Sequence, residues 1–177
     1  MSIRREIGNR CGEGRLFHLP PFLPGAPVVR MMFVSAEIHA VVVGAHSLDT
    51  EEGRRFGQLR GDLDRFTEGA LISVADHPYR KDKKAYIARL DPPRDEAWDI
   101  RSVDPKPAIR VFGHFAMVDT FIALTWAWRR DLGGPGSKEW RDEIERCKAA
   151  WRQLFHPYPP YSGGSLHDYV SSNAFPV

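Results

Sequence analysis

The sequence predicts an α+β protein: a curved antiparallel β-sheet, a meander, packed against two or three α-helices, with an irregular N-terminal arm and a C-terminal tail. Two observations carry this expectation. Between Arg94 and Arg130, three consecutive segments alternate apolar or aromatic residues with small or polar ones, the period-two pattern of strands with a buried face. On either side of them apolar residues recur at spacings of three and four, the stripe of a helix seated on such a sheet.

Residues 1–27 are rich in Gly, Pro and Arg, and Pro20, Pro21, Pro24 and Pro27 favour extended or turn conformations. This stretch reads as an arm that either covers apolar surface through Leu16, Phe17, Leu19, Phe22 and Leu23 or is partly disordered. Val28 to Val43 is rich in β-branched residues and predicts one or two short strands. Residues 1–45 are therefore expected to form an N-terminal extension, and residues 46–177 a single α+β domain.

Asp49 or Thr50, followed by Glu51 and Glu52, marks a helix start, because a side-chain oxygen caps free amides and first-turn carboxylates complement the dipole. Phe56, Leu59, Leu63 and Phe66 form its apolar stripe, which ends near Gly69 and should lie on the meander. Ala70 to Ala75 is a short apolar run, and Ala85 to Leu90 predicts an edge strand. Between them, His77 to Lys84 forms a basic loop.

The meander strands are Ala97 to Val103, Ile109 to Phe115 and Thr120 to Trp128. Asp104 to Pro107 must be a turn, since proline has no N–H to give to a ladder, and Met117 to Asp119 fits a hairpin corner. After the Gly133 to Gly136 break, Ser137 caps a second helix whose stripe is Trp140, Ile144, Cys147, Trp151 and Leu154. His156-Pro157 stops it. Tyr158 to Val177 is a tail without clear periodicity.

The chain is 177 residues long with a formal charge of +2 and a pI of about 8.6, enough for a real core and too little charge for a field over the whole surface. Cys11 and Cys147 form no CxxC pair, which argues against a disulfide framework or a cysteine-rich zinc site. The N-terminus lacks the uninterrupted apolar core of a secretory signal. The apolar region 26–45 is interrupted by Arg30, Glu37 and His39, too polar to span a bilayer. A soluble, cytoplasmic protein without membrane partners is expected. No phosphate-binding P-loop, dinucleotide fingerprint or nucleophile elbow is present.

Local charge is more telling. Residues 71–130 hold eleven Lys or Arg against eight Asp or Glu. Arg80, Lys81, Lys83 and Lys84 lie in the loop, and Arg101, Arg110, Arg129 and Arg130 on or beside the strands. If they share one face they form a groove for a phosphate backbone, with Tyr79, Phe112 or His114 available to stack on a base. The plain alternative is surface arginines paired with Asp99, Asp104 and Asp119. His114, in mid-strand, is a candidate general base, although a lone strand histidine is more often structural. The remaining histidines lack metal-ligand spacing, so neither a metal nor a cofactor is implied. Trp126, Trp128, Trp140 and Trp151 read as packing between sheet and helix, with Trp98 in the first strand of the meander.

The order of parts, a helix with Phe56 to Phe66, an edge strand, then AWDIRSV, AIRVFGHF and TFIALTWAWRR, resembles the RelE-like toxin superfamily with its HigB and phage-derived branches, over residues 50–132. The resemblance implies a bacterial toxin of a toxin–antitoxin pair: an endoribonuclease, acting on mRNA possibly bound to the ribosome, that cuts by attack of the ribose 2′-hydroxyl on the adjacent phosphate without a metal. By position, Arg101 and Arg110 match the family's strand arginines, Arg129 or Arg130 the basic residue after the last strand, and Lys81, Lys83 or Lys84 the basic loop. On that reading Arg110 and Arg129 clamp the phosphate, and a loop lysine or His114 takes the proton. The competing expectation is a non-catalytic interaction module on the same scaffold, a phage or mobile-element protein that binds a protein partner by strand addition.

Overall fold

The computed structural model describes residues 2–78 and 84–177. Five α-helices and eight β-strands follow in the order α1 (Ile3–Gly12), β1 (Leu16–His18), β2 (Met31–Ser35), α2 (Ala36–Val42), α3 (Glu51–Thr67), β3 (Ile72–Ala75), β4 (Ile87–Arg89), β5 (Trp98–Ser102), β6 (Ile109–Met117), β7 (Thr120–Trp128), α4 (Lys138–Phe155), α5 (Leu166–Tyr169) and β8 (Ala174–Pro176). All strands join one open sheet in the order β1-β2-β7-β6-β5-β4-β3-β8. The α+β class stands, and the meander β5-β6-β7 is antiparallel as expected.

The sheet as a whole is mixed, not antiparallel. β2 pairs with β7 in parallel, and β3 pairs in parallel with both β4 and β8. These pairings link segments far apart in the chain, which local alternation does not encode. For the same reason β4 is no edge strand. β3 covers it on one side and β8, from the tail, covers β3.

Helices lie on both faces. α2, α3 and α5 pack on one face, where Ile38, Phe56, Leu59, Leu63, Phe66 and Tyr169 meet Trp98, Ile100, Val111 and Phe115. α1 and α4 cover the other, where Ile7, Ile144, Cys147 and Trp151 meet Phe112, Ile122 and Leu124. Burying one such side chain stabilises by roughly 1.5–3 kcal/mol. No described helix is long and apolar enough to cross a membrane.

Both long helices begin at the caps the sequence offers: Thr50 accepts from Gly53 N and Ser137 from Trp140 N. The stretch Val28 to Val43 holds one short strand, β2, as expected, and then turns into an unexpected helix. β2 ends at Ser35, whose side chain caps α2, with Glu37 in its first turn. The cap and the burial of Ile38 and Val42 outweigh the strand preference of the valines.

Regular structure also occupies the two ends of the chain. α1 and β1 precede Pro20, where Leu16 and Leu19 are buried while Phe22 and Leu23 are 72% and 64% exposed. In the tail, the Tyr169 hydroxyl donates to Glu96 at 2.7 Å, and Ser162 donates to the same carboxylate at 2.7 Å. Arg30, buried beneath, donates to the carbonyls of Phe66, Ala70, Ser172 and Asn173 and so ties α3, β3 and the tail together.

Candidate basic site at one end of the sheet

Alternation along β5 and β6 sends Trp98, Ile100 and Val111 into the α3 layer, and therefore Asp99, Arg101 and Arg110 onto the opposite face. Arg101 and Arg110 are direct cross-strand partners. Asp99 lies fully buried with them: its Oδ2 stands 3.4 Å from Arg101 Nε and 3.2 Å from Arg110 Nε. The Arg110 contact is at ion-pair distance but lacks hydrogen-bond geometry. Its Nε and Nη1 are buried with no hydrogen-bond acceptor among the described residues.

Arg129 completes the group from the end of β7. Its guanidinium lies over the Trp140 ring, 5.4 Å from the centroid, and its Nη1 donates to Gly133 O at 2.6 Å. Trp140 is in turn held edge-on against Phe112. Burial lowers the proton affinity of Arg110, Asp99 raises it, and the nearby charges of Arg101 and Arg129 lower it again. Two guanidiniums thus flank the Asp99 carboxylate and a third, that of Arg129, lies near Arg110, so among the described residues the group carries more positive than negative charge at a largely desolvated position. Such a site is suited to an anion with several acceptor oxygens.

The other expected site residues are distributed differently. Arg130 turns to the opposite face, 5.5 Å from the Trp128 ring centroid, and pairs with Asp131. Lys84 is exposed, and its carbonyl accepts from Ser73 Oγ at 3.2 Å. It lies two residues before Tyr86, whose carbonyl takes the Arg101 N–H. Tyr79, Arg80, Lys81 and Lys83 lie outside the described residues.

His114 faces the same side as Arg110 but lies four residues along the strand, roughly 13 Å away, beneath α4. It is fully buried, its ring meets Trp151 edge-on at 5.2 Å, and its Nδ1 lies 2.7 Å from Glu96 O. That contact requires the Nδ1–H tautomer of a neutral ring. Desolvation pulls its pKa down to about 4, against the opposing effect of the Glu96 carbonyl. An enclosed neutral imidazole beneath a tryptophan is unavailable to a substrate at the surface.

Two residues of this region are more than the sequence signals suggested. Asp99, one of the three carboxylates offered as partners of surface arginines, is the counter-charge of Arg101 and Arg110, but it is buried with them rather than at the surface. Arg55, in α3, falls at i, i+4 and i+8 with Leu59 and Leu63, so its position on the apolar stripe was legible. It is buried and donates to Ser102 O at 2.7 Å, Ser102 Oγ at 2.6 Å and Pro107 O at 2.8 Å.

Two cavities lie outside the arginine cluster. One of about 490 Å³ lies between the β2–α2 junction and α4, and one of about 270 Å³ lies at the start of α3. Among the described residues no group of three or more His, Cys, Asp or Glu side chains is placed to hold a metal ion. Comparison of the chain with protein-family profiles, with curated proteins and with solved structures gave no match.

Proposed function

We propose that the protein binds single-stranded RNA through Arg101, Arg110 and Arg129 and cleaves it without a metal, as a toxin of the RelE-like kind. The observation that carries this reading is Arg110, whose buried Nε and Nη1 lack hydrogen-bond acceptors among the described residues, beside two further guanidiniums. A buried donor left unsatisfied costs roughly 1–3 kcal/mol, a cost that a phosphate oxygen offsets where the Arg110 side chain, 12% exposed, turns those nitrogens toward it. In the cleavage step the 2′-hydroxyl oxygen bonds to phosphorus and the P–O5′ bond breaks. Arg110 and Arg129 stabilise the added negative charge of the phosphorane. Trp140 keeps Arg129 in place. With His114 enclosed, water receives the 2′-hydroxyl proton and water protonates the departing 5′ oxygen, while the exposed Lys84 ammonium contributes positive charge rather than a base.

The test is incubation of a labelled mRNA fragment with the purified protein in the presence of a chelator. The expected products end in a 2′,3′-cyclic phosphate and a 5′-hydroxyl, and Arg110→Gln yields neither. Intact RNA that nevertheless stays bound would remove the cleavage step and leave a binding protein.

A further inference from the structure

The cavity of about 270 Å³ at the start of α3 is lined by Glu51, Glu52, Arg55, Pro107, Trp128 and Arg130. Its wall is unusual in three ways. Arg55 is 1% exposed and keeps Nη1 without an acceptor among the described residues. The Trp128 ring is braced by the stacked Phe56 ring at 5.8 Å, and the Arg130 guanidinium lies over it. Two exposed carboxylates, Glu51 and Glu52, sit at the same opening.

The position links this cavity to the arginine cluster. Trp128 pairs with Ile109 and Ala127 with Arg110, adjacent steps on the same two strands. Alternation puts Trp128 on one face and Arg110 on the other. The Arg129 N–H bonds to Ala108 O at this same sheet end. An RNA strand crossing the end of the sheet therefore meets the arginines on one side and the cavity on the other.

We infer that this cavity is a guanine-binding subsite of the RNA-binding surface, a statement that rests on the RNA-binding reading above. The Arg130 guanidinium, carried over the Trp128 ring, presents the face on which any base can stack. The polar groups are selective. A carboxylate satisfies two adjacent N–H donors, and the guanine edge offers N1–H and N2–H with the acceptor O6 next to them for an arginine N–H. Adenine, cytosine and uracil each turn a ring nitrogen or carbonyl lone pair toward a carboxylate so placed. Glu51 and Glu52 would repel a second phosphate, so the cavity fits a base and leaves the backbone to the arginines.

The experiment is an anisotropy titration with three labelled heptamers, UUUGUUU, UUUAUUU and the same strand with inosine at the centre. The proteins are the full chain, Glu51→Gln/Glu52→Gln and Arg110→Gln, each checked for an unchanged urea midpoint. A bidentate base contact discriminates by roughly 1–3 kcal/mol, or about 5- to 150-fold. Wild type is expected to bind the guanine strand about tenfold or more tighter than the adenine strand, with inosine between them. The double variant should lose that preference while binding the adenine strand at least as tightly as wild type does. Arg110→Gln should weaken all three strands alike. Equal binding of guanine and adenine by wild type, or a preference that survives in the double variant, overturns the subsite and leaves RNA binding standing. Failure to bind any strand overturns both.

Discussion

Arg101 and Arg110 occupy one cross-strand pair of the β5–β6 ladder, with the buried Asp99 carboxylate within 3.4 Å of both. Like charges directly opposite each other destabilise a sheet, so this arrangement depends on Asp99. Asp99→Asn removes the counter-charge and leaves two largely buried guanidiniums opposed. Loss of one member of a buried ion pair costs on the order of 3–5 kcal/mol. We expect the urea midpoint to fall accordingly, while Arg110→Gln, which leaves Asp99 with Arg101, changes stability far less. Equal losses in the two variants would contradict this account of the cluster.

His114 predicts an acid sensitivity. Its folded pKa, about 4, lies below the ordinary histidine value of 6.5. Between these values the unfolded chain binds more protons than the folded one. The native state is therefore fully favoured above about pH 6.5 and loses stability as pH falls toward 4, by up to a few kcal/mol. Urea denaturation at pH 7, 6 and 5 should show this slope, and His114→Phe should flatten it. A slope unchanged in the variant would assign the acid loss to the carboxylates.

The C-terminal tail is held by polar contacts as much as by packing. Tyr169 donates to Glu96 at 2.7 Å, and the same hydroxyl accepts the Gly163 N–H at 2.8 Å. Tyr169→Phe keeps the ring among Trp98 and Phe115 and removes both bonds. The loss should be about 1–3 kcal/mol, with faster amide exchange in β8, which α5 leads into. Unchanged β8 protection would assign the hold on the tail to Arg30 and to the Ser171–Asp119 and Asn173–Gly69 contacts.

Arg30 is the other anchor. It is 1% exposed and its two terminal nitrogens donate to four carbonyls, a fan that lysine's single nitrogen does not reproduce. Arg30→Lys should therefore destabilise nearly as much as Arg30→Met in a thermal melt. Rescue by lysine would show that charge, not geometry, is what the site requires.

Much of this fold was legible where the signal is local. The stripes Phe56, Leu59, Leu63, Phe66 and Ile144, Cys147, Trp151, Leu154, with their caps Thr50 and Ser137, define α3 and α4. Alternation defines β6 and β7. Apart from α1, ten residues with a Ser2 cap inside the expected arm, what escaped is non-local or short. β8 has three residues and pairs with β3 about 100 positions earlier, and α5 is a single turn. Neither has room for a period. In the candidate site, the strand arginines and Arg129 were visible as charge between apolar residues, and the structure groups them. The enclosure of His114 depends on Trp151 folding over it from α4, and the turning of Arg130 to the opposite face depends on the chain bend after Trp128.

The salt dependence of RNA binding tests the central claim most directly. Each phosphate neutralised on a single strand contributes about −0.7 to the slope of log K against log salt. Anisotropy titrations of a labelled oligouridine across a range of salt concentrations should give wild type a slope near −2, for three arginines. Arg110→Gln should be shallower by about 0.7 and weaker at every salt concentration. A wild-type slope near zero, or one that Arg110→Gln leaves unchanged, would contradict a phosphate site at Arg101, Arg110 and Arg129.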